Sequence, residues 1–548
     1  MRIDHYLRET LADRLRKLGV ERDPEAIPLD KPKLPEHGDI AATIALELAR
    51  ELRRPPRAIA EALVAEPFHP DYVESAEVAG PGFVNFRVSK VYLRRLVADI
   101  VAQGQSYGRS TWGHNRKVQL EFVSANPTGP LNVVSARAAA VGDVLANALA
   151  AVGFQVQREY YINDAGRQVR LLGMSVSSRY MALFGYDEPF PEEGYHGDYV
   201  RDLAAEIRDE FGDRFVHLPP EERHQELARL ALEKMIRQHQ EAMAAYRVHF
   251  DVWFRESELR RANAHLEVLE DFRRRGLAYE QDGAIWFRAS QFGDEKDRVL
   301  VTREGEPTYF LVDIAYHRNK FARGFDLVYD FWGPDHHGYI PRMKAAIMAL
   351  GIEPERFQVN IIQQVNLLRG GEVVKMSKRA GQIIEMAELI EEVGVDAARF
   401  FFLMRKMSAP LDFDIDLAKQ QSEENPVYYV QYAHARICNI LRFAEERGLR
   451  LPRQANLDRL QEPEELEVIK SLMDFPEVVS GVARFLEPHR LTTYLQELAA
   501  TFHRFYHRHR VVGDDPELSA ARLLLTEAVR IVLANGLRLI NVSAPERM

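Results

Sequence analysis

The order of apolar and polar positions divides the chain into three stretches of different character. From Asp39 to Ala65 apolar residues recur at helical spacing, with a break at Pro55-Pro56. Val73 to Val88 then alternates on either side of Ala79-Gly-Pro-Gly82, as two strands joined by a turn would. Near Arg116 the pattern changes. Val118 to Val123 predicts a strand, Ala136 to Val152 an amphipathic helix closed by Gly153, and Phe154 to Tyr161 a second strand. Such a βαβ opening predicts a doubly wound α/β nucleotide fold. Residues from about 170 to 290 are charged and helix-patterned, which predicts an insertion between two halves of the sheet. Tyr309 to Ile314 and Phe325 to Trp332 predict strands, Pro341 to Leu350 a helix, and Phe357 to Val365 one further strand. From about Val427 onward the pattern is that of a separate helical bundle.

A length of 548 residues exceeds what one core organises, so three or four domains are expected. The pattern places them at 1–110 (α+β), 111–410 (the nucleotide fold, with its insertion at about 170–290) and 411–548 (all helical). A hydrophobic share of 46% is that of an ordinary soluble protein. No uninterrupted apolar run reaches the roughly 20 residues of a membrane span. The start, Met1 to Leu7, lacks the apolar stretch of a signal peptide. A soluble protein without membrane attachment is expected. Cys438 is the only cysteine, which excludes an intrachain disulfide, argues against a cysteine-based zinc site and fits a reducing cytoplasm. The formal charge of −10 weighs against nucleic-acid binding by the surface as a whole. Basic residues do cluster at Arg50 to Arg57 and His503 to Arg510, although each cluster also fits a solvated helix face.

Two segments carry recognisable chemistry. Glu121 to Arg137 runs from a strand through an Asn/Pro/Gly turn into an Ala-rich helix, which sets backbone N–H groups and a positive helix end against a phosphate. Far downstream, Lys375-Met376-Ser377-Lys378-Arg379 lies between Gly370-Gly371 and Gly381. Its two ammonium groups suit charge building up on a triphosphate as pyrophosphate leaves. By itself this second run also fits a basic surface loop.

Together the two segments resemble the signatures of class I aminoacyl-tRNA synthetases, specifically the arginyl enzymes. Further segments resemble that family in the same order: His37-Gly-Asp39, Gly80 to Asn85, Tyr160 to Gly166, Tyr195 to Tyr199, Val393 to Phe400, Asn425 to Arg436 and Val542 to Met548. The resemblance implies a Rossmann-type catalytic domain with a helical insertion, an N-terminal α+β domain and a C-terminal helical anticodon-binding bundle. It implies a cytoplasmic, monomeric ligase that uses ATP, carried with Mg2+, to activate L-arginine and then esterifies tRNA(Arg), activation needing the bound tRNA. No zinc and no protein-held metal are implied.

Residue by residue, the resemblance implies ATP contacts at Pro127, Thr128, Gly129, Pro130, Asn132, Val134, Ser135 and Met376. Asn132, Ser135, Lys375, Ser377 and Lys378 take the catalytic positions. Tyr309 and Asp313 would hold the guanidinium of arginine; Glu121 and Asn126, with Ser124, its amino-acid end. Glu121 and Asp313 also fit structural ion pairs, and Tyr309 a core position. For tRNA, the family pattern implies Phe83, Asn85, Tyr429, Tyr432 and Met548, with bundle packing as the other reading of the two tyrosines. Asp335-His336-His337 lacks the further spaced ligands of a zinc site, and a strand end facing ATP or arginine suits it better.

One departure stands out. Asn132-Val133-Val134-Ser135 occupies the place where the family usually reads His-x-Gly-His. Asn132 and Ser135 keep hydrogen-bonding capacity, whereas Val134 fills space that glycine leaves open. Two readings follow: a working ligase with a substituted phosphate site, or a catalytically weak or inactive relative that binds tRNA or arginine in regulation.

Overall fold

The computed structural model describes residues 1–32, 34–374, 384–452 and 454–548. An N-terminal unit opens with the helix Ile3–Lys17 and builds a four-stranded antiparallel sheet in the order Leu29–Asp30, Ile40–Ala42, Phe83–Val88, Val73–Ala79. Val84, Phe86 and Val88 point into its core, whereas Phe83, Asn85 and Arg87 face outward, as strand alternation requires. The helices Ile44–Leu52 and Pro56–Val64 stand on either side of the Pro55-Pro56 break.

The central sheet is parallel, with the order Phe357–Ile361, Leu327–Trp332, Lys117–Glu121, Gln155–Ile162, Val252–Arg255. The strand order reverses between Lys117–Glu121 and Leu327–Trp332. In doubly wound folds that switch point opens a crevice at the carboxyl ends of the strands. The helix Val133–Ala151 packs on the first strand so closely that a Cβ on Gly142 would lie 2.2 Å from the Phe122 ring. By length and composition this helix could cross a membrane, yet most of it is buried inside the fold. Its two charged residues have partners: Arg137 donates to the carbonyls of Gln363, Gln364, Lys406 and Ala409, and Asp143 pairs with Arg399.

Three sequence expectations are corrected. Tyr309 to Ile314 is not a strand but the start of the helix Tyr309–Ala322, whose first turn is capped by the Thr308 side chain accepting from Leu311 N. A short apolar run buried on several sides shows no decisive period, and the cap decides it. The segment from 170 to 290 is helical in Arg167–Ala182, Asp198–Phe211 and Pro220–Ala245, but Val252–Arg255 then returns as the edge strand of the central sheet. Ala278–Gln281, Ala284–Phe287 and Arg298–Val301 form a small antiparallel sheet of their own. Phe357 to Val365 is split: Phe357–Ile361 closes the central sheet, and Val365–Arg369 pairs instead with Leu411–Asp414.

Beyond Asn425 the chain forms the long helices Pro426–Glu446, Pro463–Phe485, His489–Arg508 and Pro516–Leu539. Asn425 and Asp515 cap two of them, each followed by a proline at the first helical position, where its missing N–H costs nothing. One continuous apolar core runs from the N-terminal unit through the sheet into this bundle.

Candidate active site

The turn that follows the first strand of the central sheet is built on strained backbone. Directly after Lys117–Glu121, Val123 and Ser124 both take positive φ, 70° and 40°. A β-branched residue there is costly and persists only when its surroundings hold it. Ser124 supplies that hold: its hydroxyl donates to Glu121 Oε1 at 2.9 Å and accepts from Tyr161 N at 3.1 Å. Asn126 is exposed, Pro127 and Thr128 are buried, and Gly129 and Pro130 are half-buried.

Asn132 is the N-cap of Val133–Ala151. Its Oδ1 accepts from Val134 N at 3.0 Å, from Ser135 N at 3.1 Å and from the Ser135 hydroxyl at 3.3 Å. The carbonyl half of the amide is therefore spent on the helix, and the NH2 half has no acceptor among the described residues. Asparagine is among the best N-caps, so the substituted signature still leaves a well-formed, electropositive helix end. Val134 is half-buried and packs on the edge of the main core.

Lys375, Met376, Ser377 and Lys378 lie outside the described residues. The chain on both sides of them is fixed. Val374 N donates to Leu367 O at 2.8 Å, and Met386 N donates to Leu131 O at 2.8 Å beside an antiparallel bridge between Asn132 and Glu385. Two segments far apart in sequence are thus joined at the N-terminus of the signature helix.

At the switch point, Asp330, Glu121 and Glu159 lie in register on three adjacent strands, all buried. The helix Tyr309–Ala322 and the residue after it lay His317, Lys320 and Arg323 over this row at a spacing of three. His317 Nε2 is 2.8 Å from Asp330, Lys320 Nζ donates to Asp330 at 2.7 Å and to Glu121, and Arg323 pairs with Glu159. Lys320 is fully buried. Of the two sequence readings of Glu121, the ion pair is the one the geometry displays, with both carboxylate oxygens engaged. Burial pushes the Glu121 carboxyl up, and Lys320 opposes that shift.

Asp313, one turn before His317, has no cationic partner among the described residues. Its Oδ2 accepts from the Tyr339 hydroxyl at 2.6 Å. Burial raises its pKa to about 6, with the Tyr339 hydrogen bond pulling the other way. Tyr309 lies one turn earlier on the same helix face and is 57% exposed, so it is not a core residue. A Cβ on Gly166 would come within 3.4 Å of its hydroxyl. Asp313 thus holds one phenol hydrogen bond, from Tyr339, with Tyr309 one helical turn away on the same face. Sequence reasoning misses Tyr339, His317, Lys320 and Arg323; the spacing of cations after Asp313 is the available signal. Asp335, His336 and His337 are exposed, in the single turn Pro334–Tyr339 just past the strand Leu327–Trp332.

The positions compared with tRNA contacts are spread widely. Phe83 and Asn85 lie half-buried on the outer face of the N-terminal sheet. Tyr429 and Tyr432 are half-buried on the first bundle helix, each beside His503, with ring centroids 5.0 and 6.1 Å away. Arg436 stacks on Tyr432 at 4.5 Å and donates to its hydroxyl. Arg436 and His503 also line a cleft of about 840 Å3 with Arg447, Tyr506, His507 and Arg510, so the basic run His503 to Arg510 faces a concave surface. Burial, reinforced by Arg436, lowers the His503 pKa to about 4. Met548 is half-exposed beside a separate cleft that includes Arg247 and Asp396.

The chain is similar along its whole length to known proteins. Residues 5–88 match the arginyl tRNA synthetase N-terminal domain, residues 96–408 the class I (R) tRNA synthetase catalytic domain, and residues 430–548 the DALR anticodon binding domain. The arginine–tRNA ligase of Carboxydothermus hydrogenoformans is 49% identical over 546 residues, covering 98% of each chain. That of Geobacillus thermodenitrificans is 50% identical over 559 residues and covers both chains fully. The fold is that of the Thermus thermophilus arginyl-tRNA synthetase, with a TM-score of 0.78 at 24% identity over 99% of each chain. With half its residues shared across its full length and all three domain families matched in order, the chain belongs to the arginyl-tRNA synthetases of class I.

Proposed function

We propose that the chain is an arginine–tRNA ligase that works through the substituted signature Asn132 to Ser135. Its reaction joins the arginine carboxylate to the α-phosphate of ATP with release of pyrophosphate. The arginyl group then passes to the terminal 2′-hydroxyl of tRNA(Arg) and AMP leaves. The observation that carries this reading is the full-length likeness to arginine–tRNA ligases. A purely regulatory, non-catalytic role finds no support in those likenesses.

In this reading Asp313 takes the guanidinium of arginine, with Tyr309 and Tyr339 beside it. A planar cation with five donors suits a carboxylate of fixed direction. Asn126 and Ser124 face the amino-acid end. Glu121, held by Lys320, contributes negative potential rather than a free carboxylate. The nucleotide lies over Pro127 to Pro130 with a phosphate at the helix end, where the Asn132 NH2 group and backbone N–H groups donate. Lys375, Ser377 and Lys378 supply the positive charge and the hydroxyl that suit the departing pyrophosphate. Mg2+ enters with ATP, held by phosphate and water oxygens. Phe83 and Asn85 meet the tRNA body; Tyr429, Tyr432, the cleft around Arg436 and Met548 meet the anticodon arm. The division into 1–110, 111–410 and 411–548 follows these roles, and the enzyme acts as a cytoplasmic monomer with tRNA required for activation.

The test is direct. Purified protein with Mg-ATP, arginine and cognate tRNA should form arginyl-tRNA. Binding of tRNA without any arginyl-tRNA formed would sink the reading.

A further inference from the structure

Two side chains hold the backbone carbonyls of the turn that follows the first strand of the central sheet. Tyr199 Oη donates to Thr128 O at 2.7 Å, and His239 Nε2 donates to Gly129 O at 2.8 Å. His239 is 1% exposed, and its Nδ1 accepts at 3.0 Å from Tyr160 Oη, which itself lies 3.1 Å from Ala125 O. Burial lowers the pKa of this imidazole and so favours its neutral form. A carbonyl can only accept, so its proton sits on Nε2.

The origin of these residues matters. Tyr160 belongs to the central sheet. Tyr199 is in the first turn of Asp198–Phe211, and His239 lies on Pro220–Ala245, both inserted between the second and third strands of the sheet. In a trans peptide the N–H points opposite to the carbonyl of the same unit. Tyr199 fixes the direction of the Thr128 carbonyl, and with it the opposite direction of the Gly129 N–H. No acceptor for that N–H is found among the described residues. The fit is close: a Cβ on Gly129 would stand 3.2 Å from the same Tyr199 hydroxyl. His239 fixes the next carbonyl, and Pro130 has no N–H to misdirect.

We infer that Tyr199 and His239 are positioning residues for ATP: they hold the Thr128 and Gly129 carbonyls so that Gly129 N–H faces a nucleotide phosphate oxygen. The inserted helices, and not the nucleotide sheet alone, thereby set the geometry of the phosphate turn. This inference rests on the proposed ligase activity and adds a role for two residues outside the sheet.

The experiment uses the full chain with Tyr199→Phe, His239→Leu and His239→Gln. It measures tRNA-supported, arginine-dependent pyrophosphate exchange, with KM for ATP and for arginine determined separately. Tyr199→Phe removes one hydroxyl and keeps the ring; it should raise KM for ATP about 3- to 10-fold. His239→Leu leaves a buried carbonyl without a donor and should raise it about 10- to 100-fold. His239→Gln places an amide NH2 near the lost Nε2–H and should recover most of the difference. KM for arginine and the affinity for tRNA should hold in all three. An unchanged KM for ATP in Tyr199→Phe overturns the inference. So does a fall in kcat with both KM values unmoved, which reports only fewer folded molecules. Should His239→Leu fail to fold, Tyr199→Phe and His239→Gln still decide the matter. Absence of exchange by the unmodified chain refutes the ligase reading itself, and the inference with it.

Discussion

The Tyr339 hydroxyl donates to Asp313 Oδ2 at 2.6 Å, and this single bond holds the carboxylate that the substrate cation is proposed to meet. Both residues flank the switch point of the sheet, one from the helix before the strand Leu327–Trp332 and one from the turn after it. Replacing Tyr339 with Phe keeps the ring and frees the carboxylate to turn. KM for arginine should rise about 3- to 10-fold, the net worth of one ordinary hydrogen bond. KM for ATP should stay put. Steady-state kinetics with each substrate varied in turn would expose an error, since equal shifts in both constants contradict a role at Asp313.

Asp313 also gives the site a pH dependence. Burial raises its pKa to about 6, and only the ionised carboxylate attracts a guanidinium. Arginine affinity should be full well above pH 6 and should fall as pH drops through that value. Bound arginine favours the ionised form, so the midpoint in the complex should lie lower than in the free protein. Calorimetric titration with arginine between pH 5 and 8 measures this. A flat profile across that window would count against Asp313 as the guanidinium partner.

Asn132 has two separable jobs, and two substitutions divide them. Asn132→Ala removes the cap oxygen to which Val134 N and Ser135 N donate and should cost about 1 kcal/mol of stability. Asn132→Asp keeps a good cap but loses the NH2 donor and sets a negative charge beside a phosphate. Its thermal stability should match the parent while KM for ATP rises steeply. If Asn132→Asp binds ATP as well as the parent, the side chain serves the helix only.

Lys320 is fully buried between Glu121 and Asp330. Lys320→Met leaves the neighbouring buried carboxylates of Glu121 and Asp330 without their ammonium, Asp330 alone keeping the His317 imidazole. Breaking such a cluster from one side typically costs about 3–5 kcal/mol. Urea unfolding should show a loss of that order, smaller at acidic pH where the carboxyls can take up protons. A variant as stable as the parent would mean that water or a rearrangement supplies what Lys320 does.

On the helical bundle, Arg436 stacks on Tyr432 and borders the basic cleft. Tyr432→Ala should weaken tRNA binding by about 1–3 kcal/mol if a base stacks there. Arg436→Ala should flatten the salt dependence of that binding. Fluorescence anisotropy at several salt concentrations reports both, and neither variant should alter KM for arginine.

Much of the architecture is legible in the amino-acid sequence. The strand–turn–helix of Glu121 to Arg137 is written in local chemistry: an Asn cap, a Pro/Gly turn and an Ala-rich helix. The bundle beyond Asn425 announces itself through helical spacing and Asn-Pro and Asp-Pro starts. Tyr309 to Ile314 misleads because a short apolar run fits either period, and the Thr308 cap that settles it reads weakly in sequence. Val252–Arg255 is hidden within a charged stretch because so short an edge strand carries almost no periodic signal.

Sequence by itself determined the family, most of the elements and the substituted signature, because caps, turns and periodicity act between neighbours in the chain. Only the tertiary structure decided how the charges are matched. Glu121 and Lys320 are 199 positions apart, and no local pattern tells that this carboxylate is paired while Asp313 is left open. The same holds for Tyr199 and His239 behind the phosphate turn, 71 and 110 positions from the carbonyls they hold. Buried polar groups must find partners wherever the fold brings them, so the site's charge balance and the orientation of its backbone follow from packing, not from spacing.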